Sequence, residues 1–195
     1  MATAPPLVLA STSRYRRALL ERLQLPFEAV APGVEEAYLP GEPPDARARR
    51  LALAKARAVA AARPGSAVIG SDQVAVCGAG ILDKPGDAAR CEAQLATLSG
   101  REARFITAVA VVCDARGVVD EFCDVTRVRF RPLDAGEIAR YVERDRPWDC
   151  AGGFRGESLG IALFEQVESA DPTGLVGLPL IRLAASLRTL GFALP

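Results

Sequence analysis

The segment REARFITAVAVVCDARGVVDEFCDVTRVRF, Arg101–Phe130, constrains the fold more than any other. Two long β-rich runs, Arg104–Cys113 and Glu121–Phe130, flank DARG, a four-residue stretch that suits a tight turn. The pattern predicts an antiparallel pair. Other strand candidates are Leu7–Ala10, Ala67–Val76 and Ile161–Val167, and a hairpin followed by a turn fits Cys77–Asp87. Helices are expected over Arg14–Leu23, Asp45–Ala62, Asp87–Leu98, Asp134–Arg144 and Leu178–Leu190, with Ser13, Asp87 and Asp134 as caps. Strands and helices mix without strict alternation, so the class is α/β or α+β with a mixed sheet.

Composition narrows the chemistry. The 195 residues contain no histidine, which excludes Ser-His and Cys-His nucleophiles and any His-ligated metal. The five cysteines form no CxxC pair, so neither a zinc site nor a disulfide framework follows; reduced, largely buried thiols are expected. The net charge is zero, which gives no broad basic face for a nucleic acid polymer or a membrane. No apolar run approaches the roughly twenty residues that span a bilayer, and a cytoplasmic protein is expected. Carboxylates, hydroxyls, arginine and lysine remain, with a hard cation as a possible helper. Of the 24 basic residues only Lys55 and Lys84 are lysine, either by chance in an arginine-rich chain or because a compact ammonium is wanted at those two places.

The stretch LVLASTSRYRRALLERL, Leu7–Leu23, joins a short apolar strand to a helix through hydroxyl residues. With Ser13 as cap, Arg14, Arg16 and Arg17 fall in the first turn, where the helix dipole is already positive. A bound anion would resolve that conflict, with N–H groups, the Ser11 and Ser13 hydroxyls and the guanidinium groups converging on phosphate oxygens. In AVIGSDQVAV, Ala67–Val76, Gly70-Ser71-Asp72-Gln73 breaks an apolar strand pattern. Buried there, Asp72 needs a partner: a metal, a cationic side chain, or a water that it deprotonates. The alternative is an exposed strand end or bulge. Glu35 and Glu36 in GVEEAY, together with Asp72, could hold Mg²⁺ alongside substrate phosphates. Glu157, between Gly156 and Ser158 in a glycine-rich loop, could present its carboxylate to a base edge.

LASTSRYRRALLE, GVEE, LALAKA, IGSDQV, DKP, CAGGF and DPTGLVGLPL stand in the order and spacing of the Maf-like nucleotide pyrophosphatases. The chain resembles that family over essentially its whole length. The resemblance implies one domain, residues 1–195, with an elongated two-lobed α/β fold, a central mixed sheet flanked by helices, and the active-site cleft between the lobes. That fold is similar to the inosine triphosphate pyrophosphatase-like one. It further implies metal-dependent cleavage, with Mg²⁺ or Mn²⁺, between the α and β phosphates of a nucleoside triphosphate. Asp72 is then the proton acceptor, and Glu36 with Asp72 lies at the metal. Ser11, Arg16, Arg17, Lys55 and Lys84 cradle the triphosphate, with the two lysines in the catalytic set.

Glu35 and the Asp83 before Lys84 depart from the family's commoner residues; Glu36 and Lys84 are retained. Tyr15, Gln73 and Glu157 resemble the branch that acts on 7-methyl-GTP. An aromatic face suits the cationic methylated ring, and a glutamate suits the N1–H and 2-amino donors of guanine. The resemblance leaves two alternatives, a dTTP/UTP or broad modified-nucleotide pyrophosphatase and a non-catalytic nucleotide-binding regulator of cell division. It also suggests a housecleaning role and a homodimer.

Overall fold

A computed structural model describes residues 4–195. The described residues form seven strands: β1 (Leu7–Ala10), β2 (Phe27–Val30), β3 (Ala67–Cys77), β4 (Gly80–Leu82), β5 (Glu102–Cys113), β6 (Val118–Phe130) and β7 (Phe164–Glu168). Five helices accompany them: α1 (Arg14–Glu21), α2 (Pro44–Ala62), α3 (Ala88–Leu98), α4 (Ala135–Asp145) and α5 (Leu180–Thr189). The sheet order is β2-β1-β3-β5-β6-β7, with β4 pairing to β3. β1 runs parallel to β2 and β3, whereas β4 and β7 pair antiparallel with β3 and β6. β5 and β6 are neighbours joined by only Asp114–Gly117, which forces the antiparallel pairing that the sequence suggested. The sheet is therefore mixed and flanked by helices.

Local signals explain most boundaries. Ser13 caps α1 by accepting from the Arg16 N–H, and Asp87 caps α3 through the Arg90 N–H. Asp134 and Glu137 complete a reciprocal capping box on α4. Two strands differ from expectation: β2, which edges the sheet beside β1, is not among the sequence candidates, and the last strand is shorter. Leu159–Leu163 coils as a 3-10 turn, and β7 starts only at Phe164. Gly160 lies against the Arg155 carbonyl and the Ser158 hydroxyl bonds Asp145, so this stretch folds on its own loop instead of extending.

The chain divides into two compact units, Met1–Gln73 with Thr107–Asp124 and Asp171–Pro195, and Val74–Ile106 with Val125–Ala170. In the first, Leu7 and Leu9 of β1, Leu19 and Leu20 of α1, and Leu183 and Leu187 of α5 share one core. Each fully buried leucine contributes about 2 kcal/mol of apolar transfer. In the second, Phe154 meets Phe105, Phe130 and Phe164 edge-to-face at centroid distances of 5.0–5.3 Å. That aromatic cluster anchors the loop that carries Glu157.

Candidate active site

β3 sorts its GSDQ residues onto two faces by the two-residue repeat of a strand. The strand runs unbroken through all four, and Asp72 is buried rather than placed at a bulge or an exposed end. Gly70 and Asp72 face α2. A Cβ on Gly70 would stand 2.6 Å from the Ala56 backbone nitrogen and closer still to the Ala52 carbonyl oxygen. The helix therefore rests directly on the strand backbone. This close approach lets Lys55, one residue before Ala56, reach Asp72: Nζ lies 2.6 Å from Oδ1. The same ammonium lies 2.5 Å from Glu36 Oε1. Of the partners that the sequence allows for Asp72, a lysine is the one observed. Asp72 Oδ2 has no hydrogen-bond partner among the described residues, which leaves it able to accept a further hydrogen bond.

Glu36 lies on an irregular segment strapped to α2 by cations about one helical turn apart. Arg47 donates to the Glu36 carbonyl at 3.1 Å and stacks 3.4 Å above the Tyr38 ring. Arg50 donates to the Ala37 carbonyl and binds both carboxylate oxygens of Glu42 at 2.6 and 2.7 Å. Arg47 and Arg50 escaped the sequence reading, since nothing in an arginine-rich helix marks two of its arginines as straps. Glu35 stands next to this segment without joining the Lys55 pair.

Ser71 and Gln73 occupy the other face of β3 and bind the loop after Asp171. Ser71 Oγ and Arg16 Nε both donate to the Gly177 carbonyl, at 2.9 and 3.0 Å. Gln73 Nε2 lies within hydrogen-bond distance of Thr107 Oγ1 and the Gly174 and Leu175 carbonyls. Gly177 has φ +115°, a conformation that side-chain-bearing residues rarely adopt, and its carbonyl faces inward as a result. The loop is organised by buried Asp171, whose carboxylate accepts from the Thr173 N–H and hydroxyl and from the Ile181 N–H of α5. The Asp-Pro-Thr-Gly run signals such an Asx turn, and the role of Asp171 could have been read from it.

Arg16, Glu36, Lys55 and Asp72 thus come together in the first unit. Burial lowers the Arg16 guanidinium from its ordinary value, while Asp72 and Glu36 oppose that shift through their charge. Ser11 is buried at the end of β1, and its Oγ accepts the Ser13 N–H at 3.1 Å. Arg17 does not join the cluster; it is exposed and pairs with Glu21 one helical turn on. Tyr15 is half-buried with the Arg14 guanidinium 4.8 Å above its ring.

Lys84 and Glu157 lie in the second unit, both exposed. The turn after Lys84 is held by the Gly86 N–H on the Trp148 carbonyl at 2.9 Å. The loop before Glu157 is pinned by Asp145, which accepts from Tyr141, Arg155 and Ser158. Those bonds outweigh burial, which acts in the opposite direction, and hold the Asp145 carboxyl below its ordinary value.

Residues 6–190 match the family described as Maf-like protein. This chain belongs to the Maf-like family. Its matches to curated relatives span nearly the whole chain. A protein of Alkalilimnicola ehrlichii named 7-methyl-GTP pyrophosphatase is 52% identical over 194 residues, 100% of this chain and 98% of its own. One of Polaromonas sp. with the same name is 53% identical over 192 residues, 98% and 88% of the two chains. Among solved structures, the Staphylococcus aureus Ham1 protein superposes with a TM-score of 0.52 at 14% identity, covering 94% and 98%. That likeness shows the fold of this Maf-like chain.

A divalent cation can be tested against these residues. No group of three or more Cys, Asp or Glu side chains converges as a metal site among the described residues. Two carboxylates, Glu36 and Asp72, do converge on one cationic point, with their nearer oxygens no more than about 5 Å apart. This suits a hard ion whose remaining ligands are water and substrate phosphate.

Proposed function

We propose that this protein is a nucleoside triphosphate pyrophosphatase that hydrolyses 7-methyl-GTP to the monophosphate and pyrophosphate. The observation that carries the reading is the buried Asp72 carboxylate, engaged by Lys55 through one oxygen only, beside Arg16 and Glu36. The names of the relatives at 52–53% identity support it. Asp72 Oδ2 takes a proton from water as the water oxygen attacks the α-phosphorus. The α–β bridge then breaks, and its electron pair leaves with pyrophosphate. Lys55, Arg16 and Lys84 offset the charge that develops on the phosphate oxygens. Ser11, Ser13 and Arg17 complete the anion contacts at the start of α1.

Glu36 and Asp72 would hold the divalent cation, Mg²⁺ or Mn²⁺, which supplies Lewis-acid stabilisation of phosphoryl charge. Tyr15 stacks on the cationic base and Glu157 accepts from N1–H and the 2-amino group. Gln73, held by Thr107 and the Gly174–Leu175 backbone, fixes the wall beside the catalytic carboxylate. No helix among the described residues is long and apolar enough to cross a membrane, and a cytoplasmic housecleaning enzyme acting as a homodimer is part of the same proposal.

A pyrophosphate-release assay across a nucleotide panel tests the base preference. Turnover of 7-methyl-GTP should exceed that of dTTP and UTP. Equal or faster pyrimidine turnover contradicts the role of Glu157 and favours a broad pyrophosphatase, whereas binding with no turnover of any nucleotide favours a regulator.

A further inference from the structure

The ammonium of Lys55 stands between the two carboxylates that would hold a metal, 2.5 Å from Glu36 Oε1 and 2.6 Å from Asp72 Oδ1. These distances are on the scale of cation–carboxylate coordination, so the ammonium fills the position that a divalent ion would need. The backbone cannot make room. Gly70 holds α2 against β3 at Ala52 and Ala56, so Lys55 can leave only by swinging its four-carbon side chain.

Charge points the same way. Bonds or electrostatic proximity tie together Arg16, Arg47, Arg50 and Lys55 with Glu36, Glu42 and Asp72, four cations against three carboxylates. Such a neighbourhood repels an added dication and attracts a polyanion. We propose that Lys55 holds the cation position in the nucleotide-free protein and yields it only when a triphosphate draws its ammonium onto phosphate oxygen. The divalent ion then binds with the nucleotide and not before it. This order rests on the proposed pyrophosphatase reading. It assigns Lys55 a second task, that of keeping metal off the empty site.

Mn²⁺ binding to the nucleotide-free protein, followed by loss of the free-ion electron paramagnetic resonance signal, tests the order without any turnover. Wild-type protein at 0.1 mM should leave the signal of equimolar Mn²⁺ intact. Adding a non-hydrolysable α,β-methylene 7-methyl-GTP should give water-proton relaxation enhanced above that of the Mn²⁺–nucleotide pair alone. Lys55→Met, with its fold checked by circular dichroism, should bind Mn²⁺ at least tenfold more tightly than wild type, and Lys55→Met/Asp72→Asn should lose that gain. Depletion of the signal by nucleotide-free wild type overturns the proposal, even if Lys55→Met does not fold. A folded Lys55→Met without the gain overturns it as well. Pyrophosphate release by the same wild-type preparation separates the two claims. Turnover together with tight Mn²⁺ binding by the empty protein defeats only the order, whereas no turnover together with a gain in Lys55→Met defeats only the enzymatic reading.

Discussion

Gly70 and Ala52 are in such close backbone contact that no side chain fits between them, and this contact sets how far Lys55 must reach to meet Asp72. Gly70→Ala would drive a methyl group into the Ala52 carbonyl and the Ala56 nitrogen, backbone atoms that cannot swing aside. We expect a loss of about 3 kcal/mol, at the upper end for overpacking. Urea titration should show a lower midpoint with an unchanged slope.

Arg16 and Arg17 are adjacent, yet they should respond differently to substitution. Arg17 is exposed and its pair with Glu21 is a surface contact, so Arg17→Ala should change stability by less than about 0.5 kcal/mol. Loss of its contact with the triphosphate should raise KM about tenfold, the equivalent of about 1.4 kcal/mol. Arg16→Ala removes a half-buried guanidinium from the Gly177 carbonyl and should lower both stability and activity. Thermal melts beside Michaelis–Menten curves separate the two.

Asp171→Ala should act through the loop that it organises. Its loss leaves the Thr173 and Ile181 N–H groups without their acceptor, a cost of about 1–3 kcal/mol. The Gly174, Leu175 and Gly177 carbonyls would then no longer hold Gln73, Ser71 and Arg16 in place. Asp171→Asn, which retains one acceptor oxygen, should recover part of both effects in the same melts and assays.

Asp145 gives a pH dependence with a definite sign. Its carboxyl sits below the ordinary value in the folded chain, so its contribution is complete above the unfolded pKa of about 4. That contribution is lost as pH falls through the folded pKa. Asp145→Asn should destabilise by about 2–3 kcal/mol at pH 7. The gap between variant and wild type should narrow as pH falls below about 4, as read by denaturant midpoints at each pH.

The cysteines should divide by burial. Cys77, Cys91 and Cys113 are buried, and burial, with Glu92, Asp145 and Asp87 adding to it, pushes the Cys91 thiol up to about 11. Iodoacetamide at pH 8 should spare these three in the folded protein and label all five in urea, as counted by mass spectrometry.

The capped helices and the β5–β6 hairpin were legible because they rest on local signals: Ser13, Asp87 and Asp134 at helix starts, DARG at the turn. Asp72 was legible as a buried carboxylate in need of a partner. Its pairing with Lys55, seventeen residues away, was not, since it depends on a helix resting against Gly70. The Arg47 and Arg50 straps, the Gly177 carbonyl shared by Arg16 and Ser71, and the 3-10 turn before β7 were hidden for a related reason. Each depends on what the folded chain brings alongside, and periodicity within a segment carries no record of that.

Steady-state pyrophosphate release from 7-methyl-GTP by wild type and Asp72→Asn tests the central claim most directly. Loss of the general base predicts a fall of about 10³-fold in kcat with an unchanged circular dichroism spectrum. Turnover by a folded Asp72→Asn within a few fold of wild type would contradict it.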